Sequence, residues 1–222
     1  MTIGTVYKII QYIIAKNQDG YLSPDEFNLV INQAQTSFMN YLLGEFQQYQ
    51  PQRPSARVAY SQNQDTRQRL IPFIKETVLD IDSSGFSNYP VDYQETDAML
   101  SLYGFNRIRF IQQDSQFSYI NSVIDPIATN PLFLIKQEGF QFYPTDLYRV
   151  NLSYVGTPQE LFWANINNMY GIPIWDQANS TDPAWFDIDC LEIIARALRM
   201  VGVNLQANDV SAYAEEIKTQ GQ

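Results

Sequence analysis

The stretch Ala15–Phe27, AKNQDGYLSPDEF, has the residue types of a calcium loop. An EF-hand takes its oxygens from loop positions 1, 3, 5, 7, 9 and 12, with glycine at 6. Placing Gly20 at 6 puts Asn17 at 3, Asp19 at 5, Ser23 at 9 and Glu26 at 12. Position 1 should carry a carboxylate and is Ala15, Tyr21 at 7 offers only its carbonyl, and no second loop of this kind follows. The same residues spell another device. Ser23 suits an N-cap, Pro24 the first helical position, and Glu26 stands three after the cap, which completes a capping box. The expectation is a connector between two helices with no metal ligands, in which Glu26 accepts from the Ser23 backbone N–H.

Three further constellations bear on chemistry. Asp80, Asp82, Asp92 and Glu95 lie in a stretch from Glu76 to Asp97 that holds no Lys or Arg. Two carboxylates can hydrolyse a glycoside when a fold sets them ~5–10 Å apart across a sugar site. Acids at strand edges and turns can equally stay solvated, and that reading is preferred. The tail RALRMVGVNLQANDVSAYAEE shows two helices about a glycine turn, but Asp209, Glu215 and Glu216 in the second would repel phosphate, so it is not read as a DNA-binding motif. The aromatic residues could make a sugar-stacking platform, although at alternating positions most belong to a core. There is no histidine, which removes Ser-His-Asp and Cys-His nucleophiles and His-based metal sites. The lone Cys190 can form neither an internal disulfide nor a thiolate cluster. No catalytic, cofactor-binding or metal-ligating residue is therefore assigned, and the expectation is a protein that is not an enzyme.

The elements that would position these residues follow from periodicity. Val6, Ile9, Ile10, Ile13 and Ile14 make one helical stripe, and Phe27, Val30, Ile31, Ala34, Phe38, Tyr41 and Leu42 make another, opposite a face of Gln and Asn. The second helix is expected from Pro24 to about Tyr49, with Pro51 and Pro54 beyond it. RVAYSQNQDTRQ, Arg57 to Gln68, is polar and reads as a linker. Strands are expected at Lys75–Asp82, as a second strand or hairpin region at Met99–Gln113, in a hairpin about Glu138-Gly139 between Pro131 and Pro144, and at Tyr148–Gly156, where Val150, Leu152 and Tyr154 alternate. An Asn-rich stretch follows. Asp182 then suits a cap, Pro183 an opening, and Phe186, Cys190, Ile193, Ile194, Ala197, Leu198 and Val201 a stripe that Gly202 stops. A short last helix begins at Asn208.

The fold class expected is α+β, with N- and C-terminal helices packed as a bundle and a β-rich insertion between them. The divisions are 1–55, a helical hairpin; 56–68, a linker; 69–160, the insertion; and 161–222, a loop and the C-terminal helices. A net charge of −10 opposes coating of nucleic acid or adsorption to anionic membranes. No apolar run reaches the ~18 residues that span a bilayer, and the N-terminus lacks a signal-peptide pattern. The 22 Gln and 16 Asn, with 15 Tyr, 13 Phe and 3 Trp, supply uncharged groups of the kind that recognition and assembly surfaces use.

YIIAKNQDGYLSPDEFNLVINQAQ is similar to the opening of virion structural proteins from tailed phages of Bacteroidetes hosts. There a first helix passes through an N-x-x-G-x-[IL]-[ST]-P-x-[EQ]-F-N turn, here Asn17, Gly20, Leu22, Ser23, Pro24, Glu26, Phe27 and Asn28, with Ala34 and Gln35 following. NYPVDY, Asn88 to Tyr93, resembles that family's L-P-x-D-Y segment, with Tyr89 in place of leucine. NPLFLIKQEGFQFYPTDLYRVNLSYVGTPQELFW resembles its N-P…Y-P…V-x-L-x-Y…P…W stretch, ending on Val155, Gly156, Thr157, Pro158 and Trp163 without the basic residue often found before the proline. The resemblance covers most of the chain, thins between about Gln50 and Ile71, and is carried by the order of the motifs. It implies a head–tail connector or ring (adaptor) protein, as in the tail barrels of crAss-like phages. Its partners would be copies of itself in a ring, commonly twelvefold, and the portal or adjacent ring and tail proteins. DNA would pass through without specific binding, no membrane would be involved, and the chain would reside in the virion, and in the host cytoplasm during assembly. Acidic side chains are expected to line the channel. The alternatives are a carbohydrate-binding tail module and a carboxylate-dependent glycoside hydrolase.

Because Glu26 is assigned to the helix cap and not to a cation, millimolar calcium should leave the melting temperature unchanged in a thermal scan. A rise of several degrees would return Ala15–Phe27 to the class of metal loops.

Overall fold

A computed structural model of the chain describes residues 1–16, 20–47, 64–102, 106–119 and 125–202. It is of mixed α+β class. Two compact units divide it: Met1–Arg69 together with Pro158–Gln222, and Leu70–Thr157. Asn17 and Asp19 of the calcium-like stretch, Pro51 and Pro54, residues 57–63 of the expected linker and the helix expected from Asn208 lie outside the described residues.

The first unit begins with α1 (Ile3–Lys16), whose inward face is Ile3, Val6, Ile10 and Ile14. The start of α2 (Pro24–Gln47) is the expected capping box. The Ser23 N–H donates to Glu26 Oε2 at 2.9 Å, and the Glu26 N–H donates to Ser23 Oγ at 3.4 Å. The buried face of α2 is Phe27, Ile31, Ala34, Gln35, Phe38, Met39, Leu42 and Leu43. Tyr41, expected inward, is 47% exposed, with the Arg196 guanidinium 4.9 Å from its ring centre. A further helix, α3, occupies residues 64–70, where the sequence reads as a linker through 68. An i,i+4 ion pair of Arg69 with Asp65 and the burial of Thr66 and Leu70 give this short polar segment the support that periodicity did not show.

The last helix of the unit, α5 (Asp187–Val201), buries Cys190, Ile193, Ile194, Ala197 and Leu198 against α2 and α1 and ends on Gly202 at φ +88°. It starts later than Asp182-Pro183 predicts. Phe186 is its N-cap in extended backbone and, lying outside the helix, falls off the stripe and is exposed. Asp182 caps a different helix: its Oδ1 accepts the Ile3 N–H of α1 at 2.7 Å. This satisfies one of the donors that every helix start leaves without an intrahelical partner.

Part of the amide content of α2 is spent inside the unit, while Gln33 and Asn40 are exposed. Asn28, Asn32 and Gln35 reach an extended segment over residues 159–163. Asn32 Oδ1 accepts the Leu161 N–H and its Nδ2 donates to the Leu161 carbonyl, both at 2.8 Å. Asn28 does the same for Trp163, at 2.8 and 3.2 Å, and Gln35 Nε2 donates to the Gln159 carbonyl at 3.0 Å. The spacing explains the match. Four helical residues rise ~6 Å, and two extended residues span ~6.6 Å, so amides one helical turn apart meet every second residue of the strap. The intervening Phe162 exchanges hydrogen bonds with Thr181. Leu161 and Trp163 thereby turn inward, where Tyr7 stacks on Trp163 with ring centres 4.2 Å apart.

The second unit is built from two sheets. One has the order β1 (Ile74–Asp80), β7 (Arg149–Gly156), β3 (Tyr93–Ser101), all antiparallel. The other has the order β2 (Phe86–Asn88), β6 (Gly139–Tyr143), β5 (Leu132–Ile135), β4 (Arg109–Phe110), with β4 parallel to β5. A helical turn, α4 (Gln116–Tyr119), lies between β4 and β5 in the chain. Leu79, Met99, Phe133, Phe140, Phe142, Val150, Leu152 and Tyr154 bring both sheets into one apolar core. Of the region Met99–Gln113, the first residues end β3 and the chain returns antiparallel onto them, as a hairpin reading expects. Leu100 bridges Arg107, the Ser101 N–H donates to the Asn106 carbonyl at 2.8 Å and the Ile108 N–H to the Met99 carbonyl at 3.0 Å, before Arg109–Phe110 pairs with β5. The hairpin of β5 and β6 forms as expected, but Gly139 is a strand residue, not part of the turn. A Cβ there would stand 2.0 Å from the Ser87 carbonyl oxygen, so close approach of β2 requires glycine.

Replacing Asn32 by Ala leaves both polar backbone groups of Leu161 without their partners. Denaturant unfolding should show a loss of about 2–3 kcal/mol, and a loss under about 0.5 kcal/mol would mean that the strap is held by its side chains alone.

Candidate functional site

In the acid-rich stretch, Asp80, Asp82, Asp92 and Asp97 each hold a partner in the framework. The Arg149 Nε–H donates to Asp80 Oδ1 at 2.7 Å. Asp82 Oδ1 accepts from the Ser84 and Phe86 N–H groups, at 2.8 and 2.9 Å, and closes the turn into β2. Asp92 pairs with Lys75, accepts the Tyr154 hydroxyl at 2.9 Å and, through its carbonyl, takes the Thr157 N–H at 2.7 Å. Ser153 donates to Asp97 at 3.1 Å, across a strand β3 whose register against β7 shifts twice. Hydrogen bonding to Ser84 and neighbouring N–H groups holds Asp82 below the usual carboxylate range, and the Lys75 ammonium does the same for Asp92. Glu26 is lowered by Ser23. These three contribute stability above the ordinary carboxylate pKa that is lost as the pH falls.

Only part of the aromatic content is core, since Tyr12, Tyr21, Tyr148, Tyr170, Phe110, Phe162 and Phe186 are exposed. Tyr89 and Tyr93 stack at 4.6 Å, Phe140 meets both edge-on, and the Tyr89 hydroxyl donates to the Lys136 carbonyl at 2.6 Å. In the calcium-like stretch, Ala15 and Lys16 are the last residues of α1 and Glu26 is engaged by Ser23. Among the described residues, no group of three or more His, Cys, Asp or Glu could hold a metal ion, and no helix is long and apolar enough to cross a membrane.

The surface that stands out was read from sequence only as an Asn-rich stretch. It is a hairpin of β8 (Asn165–Asn167) and β9 (Pro173–Trp175), with Ile166 opposite Ile174. Its turn is closed by Asn168, whose Oδ1 accepts the N–H groups of Tyr170 and Ile172, both at 2.9 Å. Its base is pinned. The Trp175 indole N–H donates to Ser180 Oγ at 3.0 Å, and the ring lies so close to α1 that a Cβ on Gly4 would be 2.7 Å from it. Beyond that base the apolar side chains are bare: Ile166 is 62% exposed, Met169 90%, Tyr170 81%, and Ile172 and Ile174 more than half. Strands of three residues are too short for periodicity to reveal. The signal available was Asn168-x-x-Gly171 flanked by isoleucines, with no charged residue from 165 to 175.

Two other features of the first unit matter. At the start of α5, Phe186, Ile188 and Leu191 are exposed, while Asp187 pairs with the Met1 ammonium and Glu192 with Arg196 at 3.3 Å. One turn away, Asp189 is fully buried and neither of its carboxylate oxygens makes a hydrogen bond; its ion-pair partner is the Arg69 guanidinium of α3, at 3.6 Å. Burial pushes the Asp189 carboxyl up, Arg69 opposes this, and Asp65 and Glu192 add to it.

The chain matches no protein-family model, and no curated protein sequence matches it.

Replacing Arg69 by Met leaves the Asp189 charge buried and unpaired. The cost at pH 7 should be about 2 kcal/mol, below that of a fully buried pair because Arg69 is partly solvated. A group with a raised folded-state pKa favours folding most when protonated, so this loss should shrink as the pH falls toward about 4. Denaturant melts at both pH values test this, and a loss independent of pH would assign the effect to packing.

Proposed function

We propose that this chain is a structural subunit of a tailed-phage virion, a ring-forming head–tail connector or adaptor below the portal that forms part of the DNA conduit, and that it is not an enzyme. The supporting observation is that residues carrying the sequence resemblance meet one another in space. Asn28, from the first motif, holds both backbone polar groups of Trp163, from the last. Asp92, from the middle motif, accepts the hydroxyl of Tyr154. Ser23 and Glu26 cap each other. Motifs that lock together across 135 residues act as parts of one framework, and a shared framework is what a resemblance in motif order implies.

In this reading the terminal helical segments pack as a bundle that makes the ring body, and the β-rich middle, inserted between them, contacts neighbouring rings or tail parts. The net charge of −10 supports a channel along which DNA slides without adhering, lined by acids. The exposed apolar surface of the first unit supports assembly, since patches of this kind mark interaction sites. The bare Tyr170 beside Asn165 and Asn167 favours the alternative of a carbohydrate-recognising tail module.

Electron microscopy and native mass spectrometry of the purified chain, alone and with portal-bearing heads, test the proposal. Closed rings of about twelve copies are expected, as heterologous interfaces that close require. A chain that stays monomeric in both settings, or that binds a glycan array, would replace this reading with the carbohydrate module.

A further inference from the structure

The helix α5 is apolar on two sides. Its inner side buries Cys190, Ile193, Ile194, Ala197 and Leu198. On its outer side Ile188, Leu191 and Ala195 follow at helical spacing and share one stripe. Ile188 is 69% exposed and Leu191 51%, and Ala195 is half-buried. The acids next to this stripe are already engaged, Asp187 by the Met1 ammonium and Glu192 by Arg196. A helix with apolar residues on both sides is built to lie between two neighbours, and among the described residues the outer neighbour is missing.

The sequence holds a segment with the matching need. After Asn208, Val210, Tyr213, Ala214 and Ile217 recur at helical spacing, while Asp209, Glu215 and Glu216 fall on the other side. These residues lie outside the described ones, and their helix is an expectation of the sequence pattern. So short a helix is marginal in water unless its apolar stripe finds a surface. We propose that residues 208–218 fold back antiparallel on α5 of the same chain and cover Ile188, Leu191 and Ala195, a seat that holds whether or not the chain forms a ring.

The connection selects this occupant. α5 stops on Gly202 in left-handed backbone, φ +88°, whose N–H returns to the Leu198 and Arg199 carbonyls and turns the chain off the helix axis. Residues 203–207 then make a connection of the length that joins antiparallel helices, enough to cross the ~8–10 Å between packed axes. From Asn208 to Lys218 a helix runs roughly 15 Å, about what α5 covers between Ile188 and Arg199. In this alignment Ala214 comes beside Ala195 and Ile217 beside Leu191, and Asp209 approaches Arg199 in the last turn of α5. The acids of the segment face away from the stripe and those of α5 have partners, so an acidic chain closes here without opposing like charges. So short a tether also holds the segment at roughly millimolar effective concentration over its own α5, ahead of any second copy.

Hydrogen exchange of the full chain tests the seat. The amides of residues 210–218 should exchange roughly tenfold or more slower than those of an unstructured segment. Leu191→Glu and, separately, Ile217→Glu should each remove that protection while α1 and α2 keep theirs. Glutamate favours helix more than isoleucine does, so the loss in the second variant reports contact and not propensity. Fast exchange in the unaltered chain, or slow exchange kept in either variant, would overturn the proposal. A chain carrying both Ala195→Cys and Ala214→Cys identifies whose segment covers α5, since the native Cys190 is buried and does not compete. Mild oxidation should link the two within one chain and give a monomer that runs faster on a non-reducing gel. Linked dimers in place of that monomer would replace the proposal with a segment exchanged between copies.

Discussion

Three side-chain amides on one face of α2 hold the backbone of an extended segment that lies more than 120 residues away in sequence. Asn28 and Asn32 each present a carbonyl and an NH2 group to the N–H and carbonyl of a single strap residue, so that each amide completes a cycle of two hydrogen bonds. The backbone N–H and carbonyl of the buried Leu161 and Trp163 would otherwise lack partners, each such group worth ~1–3 kcal/mol. With those groups satisfied, Leu161 and Trp163 can be buried and Trp163 can take its place against Tyr7. The same helix face continues to Gln35, which donates to Gln159 and accepts the Trp185 indole N–H at 3.1 Å. The ladder thus ties the entry to the C-terminal segment and the approach to α5 to one helix.

The second unit answers the same accounting problem with sheets. Its polar staple is Asp92, which joins β1 through Lys75 and β7 through Tyr154 while its own carbonyl fixes Thr157. The acids that looked like possible catalytic pairs are in this sense fasteners. A carboxylate accepting two or three hydrogen bonds at a turn or strand edge, as Asp82 and Asp92 do, has little left to offer a substrate, whereas Asp80 accepts from Arg149 and is otherwise exposed.

Much of the helical framework was legible because its signals are local. Ser23, Pro24 and Glu26 act within one turn, and α1 and α5 carry apolar stripes long enough for the 3.6-residue period to show. The alternation of Val150, Leu152 and Tyr154 likewise marks β7. The misses have a common cause in long-range partners. Asp182 has the chemistry of a cap, but only the fold shows that the helix it caps is α1. Tyr41 lies on the stripe yet is about half exposed, its ring beside Arg196 of α5. Residues 64–70 are too polar for their pattern to outweigh a linker reading, and Gly139 is demanded by a strand fifty residues earlier. The Asn and Gln surplus was legible as composition, not as purpose: part of it is internal joinery, and the uncharged outer surface is concentrated in a hairpin too short to have a period.

The ladder between α2 and the strap has one more consequence. Amides neither titrate in the accessible range nor attract counterions, so this joint is blind to acidity and ionic strength. Salt that screens the ion pair of Lys75 with Asp92, or acid that protonates a carboxylate, leaves the strap where it is. The first unit therefore has a seam whose strength is set by geometry alone, and it can hold its shape across solution conditions that would loosen a particle joined by surface charge.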